Sequence, residues 1–217
     1  MSKKSLFYIA GGILLILLAG LTFVRSAVSF STLAFGAFRR GGLSFQIFKD
    51  EFIMDIFMRD EMNFMSWANI VLLALAGIVL LVKAFMPDLI PSIALGGIFG
   101  LLALFALITL FKNFFNIFEI RGFKAIMRTL VYVFMNLLSV VAFGSMAAVI
   151  ILKDSFGSLF FVPAAAAAFN AVVTFMMNII GLFGAFQWGF GASIFFLFVD
   201  VTLVLALFAV GMANNEE

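Results

Sequence analysis

The chain has 217 residues, of which 65% are hydrophobic and only 11% charged, and its mean hydropathy is +1.26. A water-soluble domain carries roughly 25% charged residues, so this composition excludes one and leaves a polytopic membrane protein. Cysteine and histidine are both absent, which excludes disulfides, Cys/His metal sites and histidine-based nucleophile systems.

Lipid requires every backbone polar group to be satisfied within its own segment. Long apolar runs without alternation therefore mean helices, and argue against the short alternating strands of a barrel. The expected fold is all-α, a transmembrane bundle of about seven spans: three hairpins plus one. The net charge of +2 and the pI of about 9.1 fit basic cytoplasmic loops better than nucleic-acid binding.

Lys3 and Lys4 precede an apolar run over residues 6–24. It exceeds the 7–15 residues of a signal h-region, and no small-x-small cleavage site follows, so a retained first span is expected. Arg25 ends that run. A shorter run over residues 27–38 closes on Arg39 and Arg40, which can snorkel to the interface.

Residues 43–64 behave differently. Phe45, Phe48, Phe52 and Ile56 recur at helical spacing, opposite Lys49, Asp50, Asp55, Arg59 and Asp60. This reads as an interfacial amphipathic helix. Its acidic balance suits docking on protein rather than on anionic lipid.

Two spans follow, 67–86 and 92–111, each near the roughly 20 residues that cross a bilayer. Pro87, Asp88 and Pro91 separate them and force a turn. The pattern Ala76-Gly77-Ile78, then Pro87, then Gly96-Gly97 and a Leu-rich run to Phe111 resembles the hairpin unit of the HdeD-type bacterial small membrane proteins. The resemblance covers mainly residues 66–111 and implies a short hairpin there; no function comes with it.

Residues 112–128 carry Phe114, Phe115, Phe118 and Phe123 among Lys112, Arg121, Lys124 and Arg128. They read as a second, basic interfacial segment. Asp55 on the acidic segment and Arg121 and Lys124 on the basic one are docking candidates. Exposed ion pairs contribute only about 0–1 kcal/mol each, so two independently solvated faces carry more weight.

Spans over residues 129–152, 156–180 and 192–210 complete the chain. The second contains Pro163. On this topology the N-terminus is cytoplasmic, in a bacterial plasma membrane, and ten of the thirteen Lys/Arg fall on the cytoplasmic side, as the positive-inside rule prefers. Small-residue spacings at Gly96/Gly100, Gly144/Ala148 and Ala164/Ala168 allow close helix approach.

Asp200 is the leading candidate for function. It lies mid-span with no charge within a turn, and a carboxylate at that depth costs roughly 2.5–3.5 kcal/mol on insertion scales. Asn170, Thr174 and Asn178 are spaced i, i+4, i+8, on one stripe of the preceding span. Antiparallel packing brings Asn170 and Thr174 to the depth of Asp200, and Ser193 shares the Asp200 face. This set reads as an ion or proton site, as an interhelical hydrogen-bond cluster, or as a contact for a basic residue of another subunit.

No glycine-rich phosphate loop, paired-carboxylate helix or zinc-protease signature is present. The last span has no lysine for a rhodopsin-like Schiff base. Corresponding broken helices, the usual pointer to a secondary transporter, are not evident. The leading expectation is therefore a non-enzymatic, cofactor-free subunit that docks other membrane chains. The alternative is a small transporter or channel with a proton or cation site at Asp200.

Overall fold

Proline and glycine set most of the helix ends. The structure, a computed structural model, describes residues 3–27, 64–179 and 190–215. The described residues form helices α1 (Lys3–Ala27), α2 (Phe64–Phe85), α3 (Ser92–Asn116), α4 (Phe123–Ile151), a one-turn α5 (Lys153–Phe156), α6 (Val162–Ile179) and α7 (Phe190–Asn215). No strand occurs among them.

Pro87 stops α2, and Pro91 caps α3 with extended backbone, φ −66° and ψ 145°. Gly122 precedes α4 with φ +103°, a conformation that costs glycine little. A 3-10 turn, Gly157–Leu159, links α5 to α6. Pro163 is the second residue of α6, in the first turn, where its missing N–H leaves no intrahelical bond unmade.

Five helices are long and apolar enough to cross a membrane, and a sixth crossing results if the two arms Lys153–Leu159 and Val162–Met177, bent by 41°, count as one. The expectation of one continuous span over residues 156–180 is thus corrected. The chain turns at residues 160–161, ahead of Pro163, which has no N–H to donate back to Leu159 and so cannot continue a helix through that point.

Helix direction follows from the contacts. Ser5 Oγ donates to the Ala84 carbonyl at 3.1 Å, and Phe23 packs on Trp67 with ring centroids 5.8 Å apart. So α1 and α2 are antiparallel. Gly11 faces Val210, and Arg25 faces Asp200, so α1 and α7 are antiparallel too.

Lys3 and Asn215 therefore lie at one end of the bundle, with Lys83 and Lys153. Arg25, Lys112 and Arg128 lie at the other. This differs from a seven-crossing chain, whose first and last helices run parallel. The expected span 27–38 and interfacial helix 43–64 lie outside the described residues. Residues 112–116 continue α3 and residues 123–128 open α4, with turns between them. They are ends of long helices rather than one interfacial segment.

The core fills the lysine half. Leu15, Leu80, Leu95, Phe99, Met146 and Val210 are fully buried or nearly so. The tightest crossing is α1 on α2. A Cβ on Gly77 would stand 2.7 Å from the Gly12 carbonyl oxygen, and one on Gly12 would stand 2.9 Å from that of Gly77. Among the spacings expected from sequence, Gly96 packs on Ile151, whereas Gly100 has open space. Leu75, Ile78, Leu104, Val172 and Leu205 are exposed on the outer faces, as lipid-facing residues should be.

Gly77→Val is expected to destabilise the folded protein in detergent by about 1–3 kcal/mol, the usual range for overpacking. Gly97→Val, with nothing within 4 Å of its Cβ, is the control. Equal melting temperatures for the two variants would contradict the close α1–α2 crossing.

Candidate functional site

The arginine half of the bundle is hollow where the lysine half is packed. A cavity of about 370 Å³ lies among α1, α2, α3, α4, α6 and α7. Leu18, Leu73, Leu102, Phe143, Val199 and Leu203 give it an apolar part, with Ala106 and Met135, and the other lining residues are polar.

Three of the residues expected from sequence meet there. Asp200 from α7 and Asn170 and Thr174 from α6 all line this cavity. Antiparallel packing of α6 on α7 brings them to one level, as the i, i+4 spacing implied. The side chains of Asn178 and Ser193 lie outside those described, as do residues 45, 48, 52 and 55. Arg121 is exposed in the turn before α4, and Lys124 lies in the first turn of α4. Arg121 is not among the residues that line the cavity.

Arg25, expected to end the first apolar run, lies in the last turn of α1, with Nη1 at 3.8 Å from Asp200 Oδ1. The basic partner sought on another subunit is thus present in the same chain. A cation also suits a helix C-terminus, where the backbone dipole is negative. Phe196, one turn before Asp200, holds the guanidinium over its ring at 4.7 Å. The pair is loose and unequally wet: Arg25 is 40% exposed and Asp200 19%.

The remaining polar wall comes from helices that the sequence reading treated as plain spans. Tyr132, Asn136 and Ser139 are spaced i, i+4, i+7 on α4, and Thr22 stands three residues before Arg25 on α1. Those spacings are visible in the sequence and mark one face of each helix.

Most of these side chains direct their donors back into their own helices. Ser139 Oγ donates to the Met135 carbonyl at 3.1 Å, and Thr174 Oγ1 to that of Asn170 at 2.9 Å. Thr109 Oγ1 donates to Phe105 and Asn136 Nδ2 to Tyr132, both at 2.9 Å. Asn170 Nδ2 crosses from α6 to α4 and donates to Ser139 Oγ at 3.3 Å. Two acceptors are left: Asn170 Oδ1 and Asp200 Oδ2 are buried with no hydrogen-bond partner among the described residues.

Leaving a buried acceptor unmet costs roughly 1–3 kcal/mol, more for a charged group. The cavity therefore favours a ligand that brings hydrogen-bond donors. Among the described residues no three acidic side chains converge, so the wall offers a single carboxylate rather than a carboxylate cage.

Comparison with protein-family models, curated proteins and solved structures finds no match for the chain.

Arg25→Ala is expected to lower stability by about 1–3 kcal/mol. That is less than the 3–5 kcal/mol for breaking a fully buried pair, because solvent screens a partly exposed arginine. Adding Asp200→Asn removes the stranded charge and restores most of the loss. Strictly additive effects in thermal melts would deny coupling between the two side chains.

Proposed function

We propose that the protein is a small membrane carrier or channel for a polar solute, with the cavity around Asp200 as its binding site. The observation that carries this reading is a pair of buried acceptors, Asp200 Oδ2 and Asn170 Oδ1, that have no partner among the described residues and belong to the wall of one cavity. Ionisable groups within membrane spans commonly mark solute or ion pathways. A polar wall in a bundle otherwise filled with Leu, Phe and Ala supports the same conclusion. A mere packing cluster would close its own hydrogen bonds, and this one leaves two acceptors open.

The arginine end is proposed to face the cytoplasm. Arg25, Lys112, Arg121, Lys124 and Arg128 lie at that end among the described residues, and the sequence joining the α1 and α2 ends there contains Arg39, Arg40, Lys49 and Arg59. Lys3, Lys4, Lys83 and Lys153 belong to the other. The positive-inside rule then turns both termini outward, the reverse of the orientation expected from a seven-span count. Since the chain has no cysteine, Lys3→Cys and Asn215→Cys are clean probes. A membrane-impermeant thiol reagent added to intact cells is expected to label both and to leave Arg121→Cys untouched. The opposite pattern would invert the orientation, and labelling of only one terminus would break the same-end placement.

A second reading, a subunit of a larger membrane complex, is favoured by one feature. Phe114, Phe115, Phe118 and Phe123 are exposed around the α3–α4 turn, Phe118 at 76% and Phe123 at 80%. Stoichiometric unrelated chains retained through mild-detergent purification would support it.

The carrier reading is tested by stopped-flow light scattering on proteoliposomes. Small polar solutes are expected to enter faster than into protein-free vesicles. Asp200→Asn and Asn170→Leu should each reduce the protein-dependent rate at least tenfold, and Gly97→Ala should leave it unchanged. Equal entry with and without the protein would remove this reading.

A further inference from the structure

We infer that the ligand of this cavity is a small zwitterion, with its ammonium group against Asp200 and Asn170 and its anionic group toward Arg25. The inference rests on the carrier reading and adds the chemical class of the solute.

Hydrogen-bond direction is the first argument. Thr109, Asn136, Ser139 and Thr174 all donate to carbonyls of their own helices. Their hydroxyl and carbonyl oxygens keep acceptor capacity. Asn170 Oδ1 and Asp200 Oδ2 add two acceptors with no partner among the described residues. An ammonium group brings three donors and no acceptor, so it complements this side of the wall. A carboxylate or phosphate placed against Asp200 Oδ2 and Asn170 Oδ1 would meet lone pairs rather than donors at those two atoms.

Charge is the second. Arg25 and Asp200 both line the cavity, and their formal charges cancel. A simple cation drawn to Asp200 is repelled by Arg25, and a simple anion drawn to Arg25 is repelled by Asp200. A molecule with both charges, held apart, satisfies each. Divalent cations fit poorly, because no acidic cluster among the described residues would replace their hydration shell.

Arg25 has capacity to take the anionic end. Its contact with Asp200 is a single one at 3.8 Å, too long for the bidentate fork a guanidinium makes with a carboxylate. Phe196 lies against its plane at 4.7 Å, which steadies the group without using its N–H donors. Leu18, Leu73 and Leu203 also line the cavity, and a short aliphatic chain suits them. The volume of about 370 Å³ falls at the small end of the roughly 300–1,000 Å³ typical of ligand pockets.

The test uses three probes of equal length on the intact purified protein: 5-aminopentanoate, pentylamine and pentanoate. Calorimetric titration is expected to show the zwitterion binding at least tenfold more tightly than either singly charged probe. Arg25→Gln should erase its advantage over pentylamine, and Asp200→Asn its advantage over pentanoate. If Asp200→Asn does not assemble, Asn170→Leu removes one acceptor and should weaken 5-aminopentanoate and pentylamine alike.

Pentylamine binding as tightly as 5-aminopentanoate would overturn the zwitterion and leave a cation-accepting cavity. No binding of any probe, with Asp200-dependent solute entry intact, would overturn the inference alone. Loss of protein-dependent entry as well would remove the reading beneath it.

Discussion

Two opposite charges on otherwise apolar helices fix how this bundle is laid out. A lone carboxylate inside a membrane span costs roughly 2.5–3.5 kcal/mol on insertion scales, so Asp200 needs a polar neighbourhood within the protein. The antiparallel packing of α1 on α7 supplies Arg25 beside it. That packing depends on small residues, since Gly11 lets Val210 approach to 3.0 Å of where a Cβ would stand. Once α1 and α7 are in register, the polar stripes of α4 and α6 face the same space. The cavity is what remains when each helix turns its hydroxyls and amides inward and keeps its leucines and phenylalanines toward lipid.

The lysine half handles a buried charge by other means. Lys83 is only 4% exposed. Its Nζ donates to Ser92 Oγ at 2.6 Å and lies 5.6 Å from the ring centre of Tyr8. A hydroxyl and an aromatic face hold this cation. The same bundle thus has two polar sites of different kinds. The one at Asp200 includes acceptors with no partner among the described residues, and the one at Lys83 packs against Tyr8 of the apolar core.

Helical membrane character was legible from composition alone, because lipid leaves so few alternatives. The α2–α3 hairpin was legible from Pro87 and Pro91. The meeting of Asp200 with Asn170 and Thr174 followed from helical spacing and antiparallel packing. Span order was harder. The run over residues 27–38 looks like a short crossing, but hydropathy has no information on which helices pair. The antiparallel contacts of Ser5 with Ala84 and of Arg25 with Asp200 are long-range facts that no local window contains. Pro163 misled for a related reason, since a proline opening a helix and one kinking it have the same local composition. Arg25 was read as a boundary marker because charge at the end of an apolar run usually is one. The Tyr132, Asn136 and Ser139 stripe was available in the sequence, and it escaped because each residue alone is unremarkable in a span.

The Arg25–Asp200 pair also bears on how the chain is made. The two residues are far apart in sequence, and at roughly 5–20 residues per second about ten to thirty seconds separate their synthesis. During that interval α1 has entered the membrane with a cation near its end and no carboxylate to meet it. The position of Arg25 in the last turn of α1 answers this need, since an arginine there can extend to the interface and stay hydrated. Insertion of α7 then delivers Asp200, and only at that point can the charge be drawn inward. The last helix to leave the ribosome is thus the one that completes the polar half, and a chain truncated before it would carry five walls of the cavity around an arginine still facing water.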